Sequence, residues 1–230
     1  MALPLLLPVS LLLPLWAGLM LRFAGGPRLA LEELRGGVLA AAAGYAAVLF
    51  VTGLGPQPYT VPETLVLCLF GTLALLSAWV DHRTAWAPDG LVLPLLTCGL
   101  LVGALLGTGP ASVIGAPVLA LVLFFFAQGL WAAQCLLGPR LLTPPDQIVL
   151  ILPLLIFGLT PYAPVTWALI CLPILILMRV PEPVYLRLRG PAAREAARDA
   201  GLSGSGRSAP LLPVVLTTLL GVLLFRLYLG

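Results

Sequence analysis

Lysine is absent from this chain, and charge of either sign is scarce: 12 arginines and 9 acidic residues in 230 positions, or 9% charged. Soluble globular domains carry about a quarter charged residues, so the composition excludes that class. The 60% hydrophobic content and a mean hydropathy of +1.10 point to one polytopic helical membrane domain spanning residues 1–230. A net charge of +3 gives no basis for nucleic-acid binding. The four cysteines, Cys68, Cys98, Cys135 and Cys171, form no CxxC pair and lie far apart in apolar runs. Neither a cysteine zinc site nor a disulfide framework is suggested, and the four read as small buried hydrophobes. No phosphate-binding glycine loop, haem motif or metal cluster occurs, so no cofactor is expected. The amino-terminal run Met-Ala-Leu-Pro-Leu-Leu-Leu lacks the basic residues that open a secretory signal and reads as a retained first span.

Long apolar runs are what the chain does have. A membrane-crossing helix needs roughly 20 apolar residues. Candidate spans are 2–23, 37–54, 64–80, 90–107, 111–137, 147–159, 164–178 and 210–229. The fold expected is therefore all-α, with about eight transmembrane helices. The sixth and seventh are short. Pro144, Pro145 and Pro153 crowd the sixth, which reads as tilted, broken or buried within the bundle.

Arginine placement sets the orientation. Arg22, Arg28 and Arg35 surround the first loop, Arg83 lies in the third and Arg140 in the fifth; six more fill the seventh. The second, fourth and sixth loops contain none. Under the positive-inside rule the odd loops are cytoplasmic and the amino terminus is outside. Arg226 is the exception and fits a side chain that snorkels to an interface. Residues 180–209 form the one long polar stretch, a cytoplasmic loop suited to the anionic leaflet. The Gly- and Ala-rich run 36–47 suits close helix packing.

With nine acids, each can be weighed. Glu32, Glu33, Glu182, Glu195 and Asp199 sit among arginines in loops and read as solvated charges. Glu63 fits a first-turn helix acid, and Asp89, after Pro88, fits the N-cap of the fourth span. Asp81 and Asp146 remain. Asp81 ends the third span, where a helix C-terminus disfavours negative charge. Asp146 stands alone between Thr143-Pro144-Pro145 and an apolar run. Two spans separate them, so both return to the cytoplasmic face. An ion pair with His82 or Arg83 is the other use for Asp81, and a plain N-cap the other use for Asp146. A facing pair of aspartates is the minimum for peptide hydrolysis: one ionised carboxylate draws a proton from water, and a protonated partner donates to the carbonyl or the leaving amine. Such a pair shares a proton and titrates as a unit.

From Asp81 through Pro88-Asp89 to Leu91-Val92-Leu93-Pro94-Leu95-Leu96 and Gly99-Leu100-Leu101, the sequence resembles the first catalytic motif of type IV prepilin peptidases. The resemblance covers mainly residues 64–160. The family's second motif, Gly-x-Gly-Asp followed by x-Lys, corresponds to Thr143-Pro144-Pro145-Asp146-Gln147-Ile148. The aspartate is kept; both glycines and the lysine are replaced. The resemblance implies an aspartic endopeptidase of the bacterial inner membrane with Asp81 and Asp146 catalytic. Its substrate would be the basic leader of a prepilin-like protein, cut at the cytoplasmic face. His82, Arg83 and Asp89 are candidate supporting residues. The first loop is short and has no cysteine, so the resemblance implies neither the zinc insert nor the methyl transfer of bifunctional members. A catalytically inactive scaffold or assembly factor is the alternative. A proton- or cation-coupled transporter is a third reading, opposed by both acids lying at one face rather than the midplane.

Overall fold

The computed structural model describes residues 6–23, 31–84, 88–108, 149–158, 160–177 and 211–229. Among them are seven helices and no strand. They are α1 (Leu6–Phe23), α2 (Leu31–Leu54), α3 (Val61–Thr84), α4 (Asp89–Leu105), α5 (Leu152–Phe157), α6 (Tyr162–Leu177) and α7 (Leu211–Leu229). Segments Glu33–Leu54, Val61–Thr84 and Leu212–Leu229 are long and apolar enough to cross a membrane; α1, α4 and α6 are apolar but shorter. The described residues thus supply three such helices where eight spans are expected. The fifth expected span, 111–137, and the polar loop 180–209 lie outside the described residues.

Within the sixth expected span, 147–159, the described residues hold the six-residue α5, far too short to cross, so the broken and buried readings hold there and an unbroken span does not. Pro153 sits in its first turn, where a missing N–H costs nothing. Gly158 ends it at φ 57° and ψ −134°, a conformation open only to glycine. Leu152, Pro153, Leu155, Ile156 and Phe157 are all buried, so α5 is an internal element of the bundle. Gly158→Ala is expected to destabilise the chain by about 1–3 kcal/mol, read as a fall in Tm of the detergent-solubilised protein.

Two helices outrun their apolar cores. α2 begins at Leu31, so Glu33 and Arg35 lie on the helix rather than in a loop. The run Leu-Glu-Glu-Leu-Arg has high helix propensity, which continues the helix past the apolar stretch. α3 starts three residues before the expected Thr64 and ends four after Val80. Its start is fixed by Glu63, whose carboxylate accepts the Thr60 backbone N–H at 2.7 Å in the manner of a capping box.

α3 is the central element. It packs on α1, α2, α4 and α7, and Leu67, Cys68, Phe70, Leu76 and Val80 on it are fully buried. Two of its buried hydroxyls turn back on the helix: Thr72 Oγ1 donates to the Cys68 carbonyl at 2.8 Å and Thr84 Oγ1 to that of Val80 at 2.7 Å. The small-residue run of α2 does what its composition suggests. A Cβ at Gly71 would lie 2.6 Å from the Gly44 carbonyl oxygen, and one at Gly44 would collide with the Gly71 backbone. The two helices cross backbone to backbone, with Gly36 and Gly37 seated against the Trp79 indole.

The helix ends sort into two edges. At one, Leu34 meets Gly18, Met20 meets Gly90, and Trp79 meets Gly36; Arg22, Arg35, Arg83 and Asp81 belong to these helix ends. At the other, Gly55 abuts the Leu227 carbonyl, Thr108 Oγ1 donates to the Ile156 carbonyl at 2.9 Å, and Arg226 lies over Tyr162. The cysteines are less uniform than expected: Cys68 is buried, Cys98 half-buried and Cys171 exposed, while Cys135 lies outside the described residues.

Candidate active site

The last turn of α3 carries Asp81, His82 and Arg83. Asp81 does not end the span and open a loop, as expected; the helix runs on to Thr84, because His82, Arg83 and Thr84 tolerate helix and Pro88 is the first breaker beyond. Asp81 is therefore enclosed on a helix, 8% exposed, in the turn where the dipole disfavours an anion. His82 and Arg83 are half-buried, and both place positive or protonatable groups where that dipole favours them. Asp81 and His82 each interact with neighbouring groups.

Beside them the edge is built from apolar side chains of three helices. Leu21 of α1 and Val80 are fully buried, and Pro88 is buried at the start of α4. A Cβ on Gly90 would fall 2.7 Å from Met20 Sδ, so α4 enters the bundle hard against α1. The Trp16 indole N–H points at the Gly90 carbonyl from 3.4 Å. Neither the tryptophan pair, Trp16 and Trp79, nor Met20 stood out in the sequence. Each is one large apolar residue among many, and only the facing glycine gives it a place.

Asp89 is not the N-cap of α4. Pro88 occupies that position with extended φ and ψ, and no side chain caps the helix. The Pro88 carbonyl accepts the backbone N–H groups of Leu91 at 2.8 Å and Val92 at 3.2 Å. Asp89 is the exposed first residue of the helix, favourable to the dipole there. The reason is local: the fixed φ and missing N–H of proline suit a helix start, and Pro88, with ψ 139°, takes the N-cap one position earlier than Pro-Asp suggests. Asp89 is thus an exposed acid near the entrance of the edge, and Asp81 the enclosed one.

Asp146 and the Thr143-Pro144-Pro145 run lie outside the described residues. The chain that follows is defined from Val149, fully buried three residues on. Leu152 meets Gly99, midway along α4, and Ile156 meets Thr108 beyond its end. Followed backward from Ile156 to Val149, the chain therefore runs toward the end of α4 that begins at Asp89. The Trp167 indole N–H donates to the Leu150 carbonyl at 3.1 Å and holds this stretch against α6.

No group of three or more His, Cys, Asp or Glu side chains able to hold a metal occurs among the described residues. No protein-family model, curated protein or solved structure matches the chain.

Proposed function

We propose that this chain is a multi-pass aspartic endopeptidase of a bacterial inner membrane that removes the leader of prepilin-like proteins at the cytoplasmic face. The observation that carries the reading is the enclosed Asp81, an acid 8% exposed in the last turn of a long apolar helix. An ionisable group in that setting is costly and marks function by default. The course of residues 149–156 toward the same end of α4 supports Asp146 as its partner. In this reading residues 1–230 form one membrane domain with the amino terminus outside. The shorter apolar helices α1, α4 and α6 also cross, and Arg22, Arg35 and Arg83 lie inside. One aspartate takes a proton from water as it attacks the scissile carbonyl, and the other protonates the leaving amine.

The substrate implied is a short basic leader ahead of an apolar helix, lying at the arginine-bearing edge. The alternative is a scaffold that keeps the fold without cleavage. What favours it is Thr143-Pro144-Pro145 standing where the resembled family has its glycines, since proline removes a backbone donor and fixes φ. Co-expression with prepilin-like substrates distinguishes the two. The peptidase reading expects loss of the leader, with mass spectrometry placing the cut just before the apolar helix. Intact leaders across a panel of substrates, with the chain present in the membrane, favour the scaffold.

A further inference from the structure

At the opposite edge, α6 and α7 pack together but leave an opening along their seam. A groove of about 640 Å³ lies between them, lined by Tyr162, Val165 and Leu169 of α6 and by Thr218, Gly221 and Phe225 of α7. The helices run antiparallel, so the groove descends from Tyr162 and Phe225 toward Leu169 and Thr218, about 10 Å along the axis. Gly221 forms an open wall, and a Cβ built there meets nothing within 4 Å. The upper end carries charge. The Arg226 guanidinium carbon sits 5.0 Å from the centroid of the Tyr162 ring, which leans at 5.8 Å on the Phe157 ring. Arg226 Nε is buried and has no hydrogen-bond partner among the described residues. Tyr59 stands on the same edge: burial pushes its phenol above the ordinary range, while the Arg226 charge pulls it down.

We propose that this groove holds an acyl chain of an anionic phospholipid whose headgroup phosphate rests on Arg226. The argument is one of charge complementarity joined to shape. A cation held at the rim of an apolar slot, on a helix long enough to span a membrane, matches an anion attached to an apolar tail. A cation–π contact orients the guanidinium and leaves its N–H donors available to phosphate oxygens. A single arginine against an anionic headgroup is worth about fivefold in affinity. The slot is short, and its rim charge leaves no place for the uniformly apolar face of a partner helix. The proposal rests on α7 lying in a membrane, not on the peptidase reading.

The test uses the full chain from washed membranes in mild detergent, with phosphatidylglycerol, phosphatidylcholine and inorganic phosphate as probes. Native mass spectrometry counts retained lipid, and thermal unfolding reads stabilisation. Phosphatidylglycerol is expected to be retained and to raise Tm more than phosphatidylcholine does. Arg226→Gln should weaken phosphatidylglycerol about fivefold, down to the phosphatidylcholine level. Gly221→Leu projects a side chain into the slot from a wall where a Cβ meets nothing within 4 Å, and should lower retention of both lipids several-fold. Equal response to both lipids by the unaltered chain overturns the proposal, as does undiminished retention in Gly221→Leu or equal stabilisation by phosphate alone. Should Arg226→Gln fail to fold, Gly221→Leu decides. Release of the chain from membranes by carbonate overturns the membrane reading of α7 itself, and the lipid proposal with it.

Discussion

Asp81→Asn is expected to lower leader removal at least ~10³-fold while the chain stays in the membrane at unchanged level. Acid–base work by a positioned carboxylate contributes roughly 10²–10⁴-fold, and the two aspartates of a proton-sharing pair act as one unit. Asn keeps the shape of Asp and a carbonyl acceptor but can neither take a proton from water nor supply one. Asp146→Asn should cause the same loss, and the double variant little more than either alone, because the second substitution removes a group already without a role. Since one carboxylate must be ionised and its partner protonated, cleavage by the unaltered chain should show a bell-shaped pH dependence. His82→Gln, Arg83→Gln and Asp89→Asn should keep cleavage within about tenfold if those groups only tune the edge. A comparable loss in Asp89→Asn would move the catalytic pair to Asp81 and Asp89. Leader removal is scored against membrane level for each variant.

The second large effect is structural. Gly71→Ala is expected to destabilise the bundle by about 3 kcal/mol, at the upper end for overpacking, because the new methyl meets backbone rather than a movable side chain. Its Cβ would stand 2.6 Å from the Gly44 carbonyl oxygen and 2.7 Å from Val48 Cγ2. Neither helix can yield locally, so α2 and α3 must separate along their whole crossing. For a chain of this size that is a fall in Tm of roughly 10 °C. Gly44→Ala should behave alike, and the pair should cost less than the sum, since both open the same crossing. Gly53→Ala is the control: a Cβ there meets nothing within 4 Å, so Tm should hold or rise slightly. A Tm for Gly71→Ala equal to that of Gly53→Ala would contradict the backbone contact. Because α3 also carries Asp81, Gly71→Ala should lower cleavage as well.

What the sequence disclosed and what it hid follow from the kind of signal each feature sends. Apolar run length announces helices, and α3, α4 and α7 lie close to the ranges it suggests. Run length says little about where a helix ends in a polar segment. α2 reaches back through Glu33 and Arg35, and α3 forward through Asp81 to Thr84, because helix propensity and capping, not hydropathy, set those limits. The prolines in 147–159 mark a broken, buried element but not where its helix ends. Pro153 is compatible with a first turn, and it is Gly158 at positive φ that stops α5 after six residues.

At the site, an acid in the last turn of an apolar helix was conspicuous, and Asp81 is the enclosed acid of that edge. Asp89 misled, because a proline followed by an aspartate suits either residue as N-cap, and only backbone angles separate them. The Gly44–Gly71 crossing was half legible: the small-residue run marks one helix, but its partner is a single glycine in a long apolar stretch. The Arg226–Tyr162 contact brings together residues 64 positions apart, beyond any local pattern.

The facing of Asp81 and Asp146 is the central claim, and a cross-link measures it most directly. With Cys68, Cys98, Cys135 and Cys171 replaced by alanine, Asp81→Cys and Asp146→Cys would be treated in isolated membranes with a short thiol-reactive linker. Carboxylates sharing a proton hold their oxygens about 2.5–3 Å apart, which keeps the two Cα atoms within roughly 10 Å. Met20→Cys with Gly90→Cys is the positive control on the same edge, its Cβ positions 3.4 Å apart. The account predicts efficient linking of both pairs. Linking of the control with none between positions 81 and 146 would contradict it.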